Sequence, residues 1–161
     1  MGQHGVLHIT YNSPVGGLEI AASADGVKWI RFIESAIASM AIEHPVIKMC
    51  MEQLDLYFNH QLREFTVPLD MQGTPFQKSV WEQVVTIPFG KTASYQDIAL
   101  KIGNGGSVRA VGNANRVNPV PILIPCHRVI GADGKLTGYA GGLWRKQWLL
   151  EHEGAIPARL L

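Results

Sequence analysis

Residues 118–125 read Asn-Pro-Val-Pro-Ile-Leu-Ile-Pro, and three prolines in eight residues exclude a helix there. Each proline also drives the residue before it toward extended backbone. The segment is therefore a stiff extended piece, and it delivers Cys126-His127-Arg128-Val129 to a fixed place. The elements on either side must fold around that delivery.

Upstream of it lie two strong helix starts. Thr74-Pro75-Phe76-Gln77 and Ser94-Tyr95-Gln96-Asp97 both carry a capping residue with a side-chain partner three positions on. After the first, Phe76, Val80, Trp81, Val84 and Val85 are expected to form one apolar face, ended by Pro88-Phe89-Gly90. The second helix carries Ile98, Ala99, Leu100 and Ile102 and runs into Gly103-Asn104-Gly105-Gly106. Ser107 is the expected cap of a third helix over 108–115. Helix, short Gly-rich turn, helix is the helix-turn-helix pattern. Gly112 weakens that third helix by roughly 1 kcal/mol against Ala, so the spacing points to something bulky lying against it, such as a nucleic-acid backbone. A last helix is expected over 143–151, stopped by Gly154.

The first third differs in kind. Residues 6–11, 17–22 and 26–33 alternate apolar and polar around turns, which predicts an antiparallel meander. Pro45 opens a helix with Ile47, Cys50, Met51, Leu54, Tyr57 and Phe58 on one face, and 63–69 is expected to be extended. The predicted fold is α/β of the α+β type. A small N-terminal domain with antiparallel sheet and helix spans 1–72. A mostly helical C-terminal domain with a helix-turn-helix spans 73–161.

Of the 161 residues, 47% are apolar and 17% charged, the balance of an ordinary globular chain. No apolar run approaches the ~18 residues of a membrane span, and no signal peptide or myristoylation pattern is read at the N-terminus. The net charge of +1 hides a segregation: residues 1–90 carry −4 and residues 91–150 carry +6. A polyanion is expected to meet the second half.

Two cysteines make no disulfide framework, so a reducing compartment is expected: cytoplasmic, or nuclear in a eukaryote. Cys50, on an apolar helical face, reads as core. A lone cysteine like Cys126 is also more often a small core hydrophobe. Here His127, Arg128 and the rigid lead-in favour a reactive thiol, because the thiolate is the nucleophile and neighbouring bases and cations promote it. Adjacent side chains diverge on extended backbone, so a bridging water is an alternative to direct Cys–His contact. Glu151 or Glu153 could orient the base. No metal is expected, since Cys126 has no second cysteine near it and His4 and His8 alone would bind weakly.

Ile124-Pro-Cys-His-Arg-Val129 resembles the active-site signature of the O6-alkylguanine-DNA alkyltransferases, also called methylated-DNA–protein-cysteine methyltransferases. The resemblance extends in order and spacing through Thr74-Pro-Phe-Gln77, Val80-Trp81, Ile87-Pro88, Gly90-Lys91, Ser94-Tyr95, Arg109-Ala-Val-Gly112, Asn115, Asn118-Pro119, Gly138-Tyr139 and Trp148-Leu-Leu-Glu-His-Glu-Gly154. It is continuous from residue 74 to 154, whereas the N-terminal part matches loosely. It implies direct repair of DNA: one irreversible transfer of a methyl or larger alkyl group from O6-alkylguanine, or from O4-methylthymine, to Cys126. His127 would be a water-mediated base oriented by Glu153. Asn118 would hold the turn beside the active-site segment. Tyr95 would press on the target phosphate and protonate the departing guanine at N3. The implied DNA-facing set is Arg109, which fills the gap left by the flipped base, with Tyr95, Ser94, Ala110, Gly112, Asn113, Arg116 and Arg128. The implied pocket comprises Val129, Tyr139, Ala140 and Gly141, with the carbonyls of Cys126 and Val129 reading the exocyclic amine and the Ala140 N–H meeting O6. Some relatives have Ser at position 140, so a hydroxyl contact is missing here. Gly141 leaves room for larger adducts. The partner would be double-stranded DNA bearing O6-alkylguanine, bound in the minor groove by a monomer, with cooperative assembly on DNA open. No cofactor and no membrane are implied.

Three other readings compete. A lesion-binding module without chemistry would lack the acceptor cysteine. A transcription regulator would need a dimerisation or effector module, and none is visible. A cysteine hydrolase would need an oxyanion loop, and an adjacent Cys–His pair suits it poorly.

Overall fold

Alternation in the first third builds three strands, β1 (Leu7–Ser13), β2 (Gly16–Ala22) and β3 (Val27–Ile33), paired antiparallel in the order β1-β2-β3. The structure, a computed structural model, describes residues 7–34 and 43–158. Ile9 lies opposite Ile20, and Ile20 opposite Ile30, so one face of the sheet presents a row of buried isoleucines. On the other face Glu19 lies opposite Thr10 and Arg31. Helix α1 (Pro45–Phe58) starts where the His44 ring accepts a hydrogen bond from the Ile47 N–H at 3.3 Å. It buries Ile47, Cys50, Leu54 and Tyr57, whereas Met51 and Phe58 are only partly covered.

The stretch expected to be extended over 63–69 does not form a strand. It touches the sheet through one isolated parallel bridge, Val27 to Leu69. Pro68 has no N–H to offer a ladder. The Val27 N–H donates to its carbonyl at 2.9 Å, and Gln53 ties down Thr66 and Val67 through its Oε1 at 2.9 and 3.3 Å. The approach is close enough that a Cβ on Gly26 would stand 2.7 Å from the Leu69 carbonyl carbon. Glycine is required there on steric grounds.

The chain divides into two compact units, Met1–Gln72 and Gly73–Leu161. The second unit opens on helix α2 (Pro75–Val85), with both halves of the Thr74–Gln77 capping box formed. Val80, Trp81 and Val84 are its buried side chains. Phe76 and Val85, expected on the same face, are 37% and 51% exposed. Trp81 donates from Nε1 to the Ala114 carbonyl at 2.9 Å, which satisfies its one polar atom and joins α2 to helix α4 (Val108–Arg116). Between them, helix α3 (Tyr95–Lys101) is capped by the Ser94–Asp97 box, and Gly103 at φ 83° makes the turn. Ser107 stands at the N-cap of α4 as expected, but its side chain makes no cap bond; its hydroxyl donates to the Asn104 carbonyl at 2.6 Å.

The proline-rich segment is not straight. Ile122 is buried at φ 75°, a conformation that a β-branched residue adopts only under strain. The chain then enters a single 3-10 turn, Cys126–Arg128, and the two-residue strand β5 (Val129–Ile130). This strand runs parallel to β4 (Ala93–Ser94), with Ser94 beside Ile130. That pairing brings the start of α3, and so Tyr95, next to the segment that carries Cys126. Helix α5 (Leu143–His152) closes the unit, and Gly154 at φ 73° follows it.

Candidate active site

Cys126 is 4% exposed and forms no disulfide. Its position is fixed from both sides. The Asn118 carboxamide accepts from the Val120 N–H at 2.9 Å and donates to the Ile124 carbonyl at 2.9 Å, folding the chain just ahead of the cysteine. Asn115 on α4 donates to the Cys126 carbonyl at 3.2 Å. Burial pushes the thiol up to about 11, against the Asn118 side chain, the Lys146 charge and the backbone N–H groups of Cys126 and His127, which all favour the thiolate. The resting form is therefore a thiol.

His127 is fully buried, and its Nε2 lies 2.7 Å from Glu153 Oε2. A carboxylate can only accept, so Nε2 carries the proton and Nδ1 is left as the acceptor. Nδ1 is buried with no hydrogen-bond partner, as a base awaiting a proton would be. Burial lowers the pKa of His127, helped by the charges of Arg128 and Lys146 and opposed by Glu153. The ring is thus neutral at pH 7. Glu153 would be raised by burial, but His127 and Arg128 hold it well below the usual carboxylate range.

Arg128, expected among the DNA-facing residues, is turned inward instead. It is 5% exposed, donates from Nε and Nη2 to Glu153 at 2.8 and 3.1 Å, and donates from Nη1 to the Ile87 carbonyl at 2.6 Å. Glu153 is buried and charged, and only a neighbouring cation makes that tolerable. The arginine is absorbed in that task.

Lys146 was not among the residues singled out from sequence. It is fully buried on α5 and donates to the carbonyls of Val129 at 2.6 Å and Thr137 at 2.8 Å. Burial lowers its pKa to about 8, while Cys126 opposes the shift. One sequence signal was available: Lys146, Leu149, Leu150 and Glu153 follow the i, i+3, i+4, i+7 spacing of a buried face. The Tyr95 hydroxyl donates to the same Thr137 carbonyl at 3.2 Å. Tyr139 is pushed well above its ordinary range by burial and by the nearby Cys126, with Arg145 acting the other way. The Cys126 carbonyl accepts from the Asn115 side chain at 3.2 Å and from the Val129 N–H, and the Val129 carbonyl accepts from Lys146 at 2.6 Å.

On α4, Arg109, Ala110, Asn113 and Arg116 are exposed, and Gly112 is half-buried. Arg116 donates to Asn113 Oδ1 at 3.2 Å. A Cβ on Gly112 would stand 3.8 Å from the Tyr95 ring, an ordinary contact, so alanine would fit there within the protein. The Ser94 hydroxyl is occupied as the cap of α3, accepting from the Asp97 N–H at 3.0 Å. Ala140 is exposed and Gly141 buried. His4 lies outside the described residues, and His8 sits 4.0 Å from Glu19. Among the described residues no group of three His, Cys, Asp or Glu could hold a metal ion.

The family model for the 6-O-methylguanine DNA methyltransferase DNA-binding domain matches residues 75–155, and that for the ribonuclease-like domain of the same family matches residues 6–71. A methylated-DNA–protein-cysteine methyltransferase of Mycobacterium tuberculosis is 45% identical over 156 residues, covering 94% of each chain. One from Methanosarcina acetivorans is 43% identical over 150 residues, 90% of this chain and 96% of that one. Among solved structures, the M. tuberculosis O6-methylguanine methyltransferase superposes with a TM-score of 0.84 at 43% identity, covering 96% of this chain and 97% of that one. M. tuberculosis OGT in complex with DNA superposes with a TM-score of 0.82 at 45% identity, covering 91% and 92%.

Proposed function

We propose a residue-level mechanism from one premise: the chain belongs to the 6-O-methylguanine DNA methyltransferase family. It repairs DNA by moving an alkyl group from the damaged base to a cysteine of its own, and double-stranded DNA is its partner. We assign the acceptor to Cys126. The observation that carries this assignment is the pairing within one turn of a buried thiol and an imidazole whose Nε2 is taken by Glu153 and whose Nδ1 remains open.

In the reaction, the thiol proton passes to His127 Nδ1, directly or through one water, and Glu153 steadies the imidazolium that forms. The sulfur attacks the alkyl carbon, an S–C bond forms and the C–O6 bond breaks. Its electron pair stays on the guanine, which takes a proton at N3 from Tyr95. The base must first leave the duplex, at a cost of a few kcal/mol. Arg109, Ala110, Gly112, Asn113 and Arg116 on α4 face the DNA, with Ser94 and Tyr95 at the start of α3. Arg109 occupies the space the base vacates. Val129, Tyr139, Ala140 and Gly141 line the pocket. Adducts larger than methyl, such as benzyl, fit beside Gly141. A thioether is a very poor leaving group and nothing regenerates it, so each molecule acts once. Residues 73–161 carry the DNA-binding and active-site machinery, and residues 1–72 are scaffold.

Both cysteines are free thiols and the acceptor must stay reduced, which supports a cytoplasmic location. No helix among the described residues is long and apolar enough to cross a membrane. A duplex holding a single O6-methylguanine, titrated with protein, tests the reading. Lesions should disappear one per protein molecule with no further turnover, and Cys126→Ser should remove none. Repair that continues beyond one equivalent, or that survives in Cys126→Ser, overturns it.

A further inference from the structure

The loop after Gly138 is held in place by a residue that the mechanism above does not use. Arg145, in the first turn of α5, donates from Nη1 to the Gly141 carbonyl at 2.8 Å. The Gly142 N–H donates to the Tyr139 carbonyl at 2.9 Å. These two bonds engage both polar groups of one peptide plane, the one joining Gly141 to Gly142. The Gly142 carbonyl accepts from the N–H groups of Arg145 and Lys146 at 3.2 and 3.3 Å, which seats the loop on the helix. Residues 139–142 therefore form a closed turn, with Ala140 exposed at its tip and Gly141 buried.

Two successive glycines place few steric limits on that peptide plane, and Gly142 is already at φ 90°. Side-chain packing cannot fix its orientation, so its hydrogen bonds must. One comes from within the turn, and the other is the Arg145 guanidinium. The guanidinium is itself restrained, because its central carbon lies 4.6 Å from the centre of the Trp144 ring. Its charge also reaches the buried Tyr139 phenol, opposing the effect of burial there.

We propose that Arg145 is a positioning residue for alkyl transfer: by locking the Gly141–Gly142 peptide it holds the Tyr139 ring and the Ala140 N–H where the extruded base must meet them. The inference rests on the reading of Cys126 as acceptor. A misplaced wall leaves duplex binding intact but slows the chemical step, since geometry at the reacting centre controls rate steeply. Arginine suits the task because its planar fork can donate to a carbonyl while its face stacks on an indole.

Single-turnover transfer from an O6-methylguanine duplex, measured over a range of DNA concentrations, separates the limiting rate from half-saturation. Arg145→Ala should lower the limiting rate roughly tenfold or more while half-saturation and affinity for undamaged duplex stay within about twofold. Arg145→Lys, which keeps one donor for the Gly141 carbonyl, should restore most of the rate. If Arg145→Ala does not fold, Arg145→Met, which keeps the stem and loses the donor, replaces it. A limiting rate within about twofold of wild type overturns the inference. So does a loss that merely follows the melting temperature across the variants without rescue by Lys. A wild-type protein that removes no methyl group overturns the functional reading instead, and the inference with it.

Discussion

At rest Cys126 is a weak nucleophile, because burial holds its thiol up to about 11. In the mechanism proposed above, reaction at neutral pH then depends on His127, whose ring burial keeps neutral and able to accept the proton. The transfer rate of the wild-type protein should be nearly flat from about pH 7 to 7.5 and decline as pH rises through about 8, where Lys146 loses the charge that favours the thiolate. In His127→Gln the rate should rise by about tenfold per pH unit toward the thiol value, since only hydroxide remains to ionise it. Single-turnover rates across that range check both. Glu153 bears on stability as well. Its folded pKa is depressed below the unfolded value, so its stabilisation is present above about pH 4.3 and is lost as pH falls through the folded value. Glu153→Gln strands the buried Arg128 charge and should cost about 3–5 kcal/mol at pH 7 in urea unfolding. The gap to wild type should narrow at pH 3. At this scale the residues alone pointed to Cys126 and His127, which are adjacent in the chain, and left Glu151 and Glu153 as alternatives; the contact of Glu153 with His127 comes from the folded geometry. The sequence reading did not reach Lys146, since a lysine ordinarily marks a solvated position. It misjudged Arg128, because exposure cannot be read from a charge.

Among the elements, both capping boxes were legible because they are local: a side chain and an N–H three residues apart decide them. Thr74→Ala should cost about 1 kcal/mol, whereas Ser107→Ala, whose hydroxyl serves the Asn104 carbonyl rather than the helix, should stay within about 0.5 kcal/mol. Thermal or urea unfolding distinguishes the two. The β4–β5 pair and the 3-10 turn at Cys126 were invisible from sequence. Two-residue strands are too short to show a period, and their pairing joins residues 93 and 129 across the whole helix-turn-helix. The bend at Ile122 was hidden for the opposite reason. Local propensity argues against a β-branched residue at positive φ, and the surrounding fold overrides it.

For the molecule as a whole, the excess positive charge over residues 91–150 matters only where it is exposed. Arg116 is exposed on α4, whereas Arg128 and Lys146 face inward. Arg116→Ala should reduce the slope of log affinity against log salt by about 1. Arg128→Ala should leave that slope unchanged and lower stability instead, as fluorescence titrations and unfolding curves on the same variants would reveal. A charge count points to the half of the chain that the DNA-binding family model matches, but it cannot separate these two arginines. The most direct test of the whole account is peptide mapping by mass spectrometry after reaction with a duplex carrying O6-methylguanine. A gain of about 14 Da, one methyl replacing one hydrogen, should appear on the peptide containing Cys126 and nowhere else. An unmodified Cys126, or the same gain on Cys50, would contradict it.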